Sequence, residues 1–301
     1  MGTDTASARF FCNLLAIISA LLIAFSCFGL VGSGLMKSSS YIASKFIEYD
    51  EEMLRAVNAE LDKECSNMPA PAGAFTSALD KEDIDNALTR AAENLVLCYD
   101  IDFSDSRDLY DSFYNGIEEY CSKNSVGISS AELNQCASLG VKVTNEVLST
   151  GISRKTQIFQ LLIGNSVAMG FVYCAAGAVV CLVLINLINK RRHKKYSYYS
   201  LAFNGAGLIY IFGALLVKFK NYVDGFTFCR SALYDAALKD AVNSIINAYI
   251  IVGIAFVVFG LIMLVYNFKY YERRKKEMNE TDAINNQMKK EFLEHYNKKH
   301  R

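Results

Sequence analysis

Five aspartates, three histidines and nine cysteines are the residues of this 301-residue chain whose spacing invites a chemical reading. Asp100, Asp102, Asp105, Asp108 and Asp111 place acids at positions 1, 3, 9 and 12 of a twelve-residue stretch, the spacing of a calcium loop. Such a loop needs Gly at position 6 for its sharp turn and usually an apolar residue at position 8. Here those positions hold Asp105 and Arg107. The run is therefore expected to be a solvated linker and helix start, where carboxylates favour the helix dipole.

His193, His295 and His300 all fall in Lys- and Arg-rich segments, so they supply no general base to an acidic domain elsewhere in the chain. The sequence holds no P-loop, dinucleotide fingerprint or metalloprotease helix. The reading is a protein without catalytic residues, cofactor or metal, and not an enzyme.

Of the cysteines, Cys12, Cys27, Cys174 and Cys181 lie in long apolar stretches, whereas Cys65, Cys98, Cys121, Cys136 and Cys229 lie outside them. Four cysteines in one small domain allow three connectivities. On an oxidising side of a membrane the candidate disulfides are Cys121 with Cys136 and Cys65 with Cys98. The competing reading treats Cys98, Cys121 and Cys136 as small hydrophobes on helical stripes.

Four stretches without any Asp, Glu, Lys or Arg must position these groups: residues 10–36, 156–189, 196–217 and 241–268. A helix crosses the hydrocarbon core with about 20 apolar residues, and each stretch meets that length. With 52% hydrophobic residues and a formal net charge of zero, the chain reads as a multi-pass membrane protein. That composition excludes a soluble enzyme, a secreted disulfide toxin and a nucleic-acid-binding domain.

Charge sets the expected orientation. Lys190, Arg191, Arg192, Lys194 and Lys195 separate the second and third stretches, and Arg273, Arg274, Lys275 and Lys276 follow the fourth. Short basic loops stay cytoplasmic and contact lipid headgroups. The organisation is then a cytoplasmic N-terminus at 1–9, span 1 at 10–36, an extracytoplasmic helical domain at 37–155 and span 2 at 156–189. A basic cytoplasmic loop at 190–195, span 3 at 196–217, a short outer loop at 218–240, span 4 at 241–268 and a basic cytoplasmic tail at 269–301 complete it. Residues 37–155 carry 11 Lys plus Arg against 21 Asp plus Glu, a net of −10, as an outer segment should.

Residues 38–155 show helical periodicity broken by Pro69 and Pro71. Ile42, Phe46, Met53, Val57 and Leu61 form one stripe on a helix expected to run straight out of span 1. Ile84, Leu88, Ala91, Leu95 and Cys98 form a second, and Leu109, Phe113, Ile117 and Cys121 a third. A fourth helix starts with the capping-box pair Ser129 and Glu132, carries Leu133, Cys136, Gly140, Val143 and Val147, and is expected to pass into span 2 with little interruption. Such amphipathic helices need mutual burial, so the fold class is all-α: four transmembrane helices with an extracytoplasmic antiparallel bundle between spans 1 and 2.

The layout resembles a loosely defined group of uncharacterised four-span integral membrane proteins of Gram-positive bacteria. The resemblance rests on the Asp80-Lys81-Glu82-Asp83-Ile84 and Ser129-Ser130-Ala131-Glu132 helix starts and on the Tyr99-Asp100-Ile101-Asp102-Phe103-Ser104 linker. It implies a bacterial cell membrane and no particular activity.

Within the spans Gly170 and Gly177, Ala206 and Gly213, and Gly253 and Gly260 each repeat at seven residues, a spacing that lets helix backbones approach. Asn165, Asn186, Asn204, Asn243 and Asn247 can hydrogen-bond between helices. The expected role is binding or assembly: an outer domain facing a protein or envelope ligand, spans that contact lipid and self-associate, and no nucleic acid. A small-solute transporter or channel using the Asn and Gly faces is the alternative. The expected location is the plasma membrane with both termini cytoplasmic. Lys298 and Lys299 near the end leave the endoplasmic reticulum membrane as the alternative in a eukaryote.

Overall fold

The computed structural model describes residues 6–97, 99, 102–149, 153, 156, 165–189 and 192–299, excepting the side chains of 165–168, 192–193 and 291–299. Among the described residues the regular structure is helical: α1 (Ala6–Met36), α2 (Ser39–Ile47), α3 (Asp50–Glu64), α4 (Ala72–Thr76), α5 (Lys81–Val96), α6 (Arg107–Lys123), α7 (Ser130–Leu148), α8 (Asn165–Ile188), α9 (Arg192–Phe219) and α10 (Ala232–Lys299). Four of these, α1, α8, α9 and α10, are long and apolar enough to cross a membrane.

The chain divides into two units. One holds residues 28–170 and 214–249, the other residues 1–27, 171–213 and 250–301.

In the first unit the helix boundaries follow local capping. Asp80 accepts from the Asp83 amide while the Asp83 carboxylate accepts from that of Asp80, and Ser129 and Glu132 do the same at α7. Ser106 caps α6 through the Leu109 amide. These exchanges satisfy amide donors that the first turn cannot pair internally. At the far end of α6 the amides of Val126 and Ser125 bond back to the carbonyls of Cys121 and Ser122, a left-handed helix ending in which Ser125 takes φ 56° without being Gly.

The core is built from the stripes read in the sequence. Ile42, Phe46, Met53, Val57, Leu61, Ile84, Leu88, Leu95, Phe113 and Ile117 are all buried, each side chain stabilising by about 1.5–3 kcal/mol relative to exposure. Helix α2 packs on α5, α6 on α7, and α3 on α4, α5 and α7. Gly140 of α7 lets the Phe113 ring lie where a β-carbon would be only 2.7 Å away.

One expected continuity is interrupted. Instead of one rod leaving span 1, α1, α2 and α3 are separate, because Ser38 turns extended (ψ 105°) and caps α2 through the Tyr41 amide, and Tyr49 breaks the next junction. Helix α7 ends at Leu148, with Ser149 extended at ψ 131°, and residues 150–152, 154–155 and 157–164 of its join to span 2 lie outside the described residues. At Ser38 the side-chain hydroxyl offers the backbone an alternative to the helical ladder.

Residues 218–240, expected as a short outer loop, contain the last residues of α9 and the first of α10 and join this core. Tyr234 is 1% exposed and meets Phe46 edge to face with ring centroids 4.8 Å apart. The Tyr41 hydroxyl donates to the Ala241 carbonyl at 3.0 Å, and Tyr49 donates to the Asp240 carboxylate. The amide of Ser153 and the hydroxyl of Thr156 both donate to the Phe228 carbonyl, at 2.9 and 2.8 Å.

In the second unit small residues seat the helices. Gly207 of α9 and Gly253 of α10 face each other so closely that a β-carbon on either would come within 3 Å of the other's carbonyl oxygen. Ala206 is buried with Ile23 and Ala178, and Leu15, Ala16 and Ile185 form a second cluster. The Tyr210 hydroxyl donates to the Ala24 carbonyl. Phe10, Val180, Leu187, Phe212 and Phe268 remain exposed, the outward apolar surface that a bilayer covers.

Candidate functional site

The linker between α5 and α6 borders an open groove of about 320 Å³ lined by Arg90, Asn94, Asp102, Phe103, Ser104, Asp105 and Ser106. Phe103 anchors its floor, 3% exposed, with its amide donating to Asn145 Oδ1 at 2.7 Å. Asp102 Oδ1 accepts the Ser104 amide at 2.9 Å, and that bond holds its carboxyl below the usual range. Arg90 pairs with Asp108, and Arg107 lies 3.8 Å from Asp111.

Asp102, Asp108 and Asp111 thus spend their carboxylates on a turn and two ion pairs, while Asp105 is exposed. Asp100 lies outside the described residues. Among the described residues no three His, Cys, Asp or Glu side chains converge as metal ligands. What the groove presents is a mixed surface, with Asp102 and Asp105 exposed beside Arg90 and the amide of Asn94, suited to hydrogen bonding and charge pairing with a polar partner.

Cys65, Cys121 and Cys136 are buried free thiols, so the Cys121–Cys136 bridge is not formed in the structure, and Cys98 lies outside the described residues. Cys136 sits within electrostatic reach of both Cys65 and Cys121. Burial, then the neighbouring Cys136, pushes the Cys65 thiol up to about 11. Burial likewise pushes Cys229 up to about 12. Such thiols are weak nucleophiles.

The glycines named for helix packing differ in what they meet. Gly253 faces Gly207, a β-carbon on Gly260 would strike the Asn204 amide at 2.6 Å, and one on Gly177 would touch Leu22 at 3.2 Å. Gly170 and Gly213 have no described atom within 4 Å of a β-carbon. Of the span asparagines, Asn204 donates to Ser200 Oγ at 3.0 Å, and Asn186 accepts from Lys195 at 2.5 Å. Asn247 accepts from Lys218 at 2.5 Å.

Of the basic groups, Lys194 and Lys195 open α9, whereas Arg273, Arg274, Lys275 and Lys276 are exposed along α10. Lys190 and Arg191 lie outside the described residues, as does the side chain of Arg192.

One constellation escaped the sequence reading. Asp50, at the start of α3, lies against Lys81 and Asp85 of α5, with Lys81 Nζ 2.7 Å from Asp50 Oδ2. The four-residue step from Lys81 to Asp85 is legible in sequence. The approach of Asp50, thirty-one positions earlier than Lys81, comes only from tertiary packing.

Comparison of the chain with protein-family models, with curated proteins and with solved structures finds no match.

Proposed function

We propose that this is a four-span protein of the cell membrane whose helical segment 37–155, closed by residues 218–240, faces the extracytoplasmic side and binds a protein or envelope ligand rather than catalysing a reaction. The reading is supported above all by one observation. Tyr234 and Phe228 of the short segment are buried in the same unit as Phe46 and Phe113 of the long one, so two stretches separated by spans form one closed domain.

A rigid domain of this kind presents a fixed surface, which lowers the ordering cost of association. The net charge of −10 over residues 37–155 favours a partner with basic or cationic groups. Asp102 and Asp105 at the groove are the contact residues of this proposal, and Phe103 holds them in place. The basic groups Lys194, Lys195, Arg273, Arg274, Lys275 and Lys276 fix the cytoplasmic side and attract anionic headgroups at about 1 kcal/mol each.

The test uses the full-length chain in lipid nanodiscs exposed to envelope extract from its own cells. Capture of a partner that is lost on Asp102→Lys and Asp105→Lys substitution is the expected outcome. A folded wild-type chain that captures nothing, or captures equally well after both substitutions, contradicts it.

A further inference from the structure

Asp50 and Asp85 meet where α3 begins and α5 completes its first turn. The Asp50 side chain is only 7% exposed, and both its oxygens are engaged: Oδ2 by Lys81 at 2.7 Å and Oδ1 by the Glu51 amide at 2.5 Å. Asp85 lies against it within hydrogen-bonding reach. Asp85 Oδ1 is sealed from solvent and has no hydrogen-bond donor among the described residues.

An ionised carboxylate in that position would carry a desolvated, unpaired oxygen beside a second negative charge, and both effects disfavour ionisation. A proton on Asp85 removes both costs at once. It neutralises the group and converts the orphan acceptor into a donor, with the Asp50 carboxylate as the acceptor at hand. We propose that Asp50 and Asp85 hold one proton between them, resident on Asp85, and that this makes the α3–α5 contact a pH-sensitive latch that tightens when the proton is present and loosens when it leaves.

The surrounding charges fit that assignment. Lys81 and Glu82 reach the pair from α5 and Glu51 from α3, while Lys45 and Glu48 of α2 are paired with each other. One lysine therefore faces two aspartates, enough to keep Asp50 charged but not both. The Lys81 hydrogen bond draws Asp50 below the usual carboxylate range, whereas burial, then the Asp50 charge, pushes Asp85 above it. A group raised in the folded state stabilises at low pH and loses that contribution as pH climbs through its folded value. A lowered group behaves oppositely and fails only in stronger acid. The latch is firmest between these two points.

The test is infrared spectroscopy of the full-length chain in nanodiscs across a pH series, following the protonated carboxyl band. The expected result in the wild type is one such band that persists after the exposed aspartates have ionised. It should vanish in Asp85→Asn and disappear at lower pH in Asp50→Asn, where the neighbouring charge is gone. Thermal unfolding should lose stability as pH rises in the wild type and not in Asp85→Asn, whose amide donates to Asp50 at every pH. A wild-type spectrum in which all carboxyl bands disappear together overturns the proposal without relying on any variant's folding. So does a persistent band unmoved by Asp50→Asn.

Discussion

Tyr234 is almost wholly buried, yet its hydroxyl has no hydrogen-bond partner among the described residues, so its ring and its oxygen act in opposite directions. Removing an orphan polar group from a core costs little or stabilises, whereas removing a buried aromatic ring costs about 3–5 kcal/mol. Tyr234→Phe should therefore match or exceed the wild type in thermal unfolding of the detergent-solubilised chain, and Tyr234→Ala should fall well below it. Equal losses for both would mean that the hydroxyl has a partner. The buried thiols give a second test at this scale. With its thiol raised to about 11, Cys65 should alkylate on the order of 100-fold more slowly at pH 8 than a thiol of ordinary pKa from ionisation alone, and more slowly still from burial. Peptide mass spectrometry after timed iodoacetamide exposure, with and without denaturant, measures it. What the sequence could reveal at this scale was chemistry carried by spacing. The mismatch of Asp105 and Arg107 to a calcium loop was plain; in the fold Asp102, Asp108 and Asp111 meet Ser104, Arg90 and Arg107 respectively. The Asp50–Asp85 contact was not legible, because it depends on how α3 lies on α5.

The helices themselves were legible where a cap or a stripe declared them. Ser129 with Glu132 gives the α7 start, and the α6 stripe Leu109, Phe113, Ile117 and Cys121 is buried as a set. Interruptions were harder to read. The three consecutive serines 38–40 sit inside a hydrophobic periodicity that continues on both sides, so the pattern hides a break that Ser38 makes through its own side chain. Helix ends lead to a third prediction. Ser125 occupies the left-handed position of the α6 ending with φ 56°, a conformation that costs a residue with a β-carbon about 1–2 kcal/mol. Ser125→Gly should raise the unfolding midpoint, and a fall would show that the Ser125 side chain contributes something the backbone geometry does not require. A fourth concerns α9 and α10. Since a β-carbon on Gly207 would lie 2.6 Å from the Gly253 carbonyl oxygen, Gly207→Leu should separate the two helices and lower stability in detergent. Gly213→Leu, where no described atom is near, should be tolerated. Both can be compared by thermal aggregation.

Across the whole chain, the four charge-free stretches are the strongest signal, because each is long enough to cross the hydrocarbon core as a helix that pairs its own backbone groups. They correspond to α1, α8, α9 and α10. The joining of residues 218–240 to the main core was not readable, since that stretch has four bases and three acids and resembles an ordinary connecting loop. Only Tyr234, Leu238 and Phe228 in the folded state reveal what it covers. Its participation means that residues 38–155 alone would leave Phe46 without the aromatic ring that covers it, which is why binding experiments call for the full-length chain. The central claim, that the acidic helical domain and the basic segments lie on opposite sides of the membrane, has a direct test in two introduced cysteines. Ser66→Cys lies at an exposed turn after α3, and Glu280→Cys on the exposed face of α10. With a membrane-impermeant maleimide on intact cells, and the unsubstituted chain as background, the account predicts labelling at position 66 and protection at position 280 until the cells are permeabilised. Labelling at 280 with protection at 66 would contradict it.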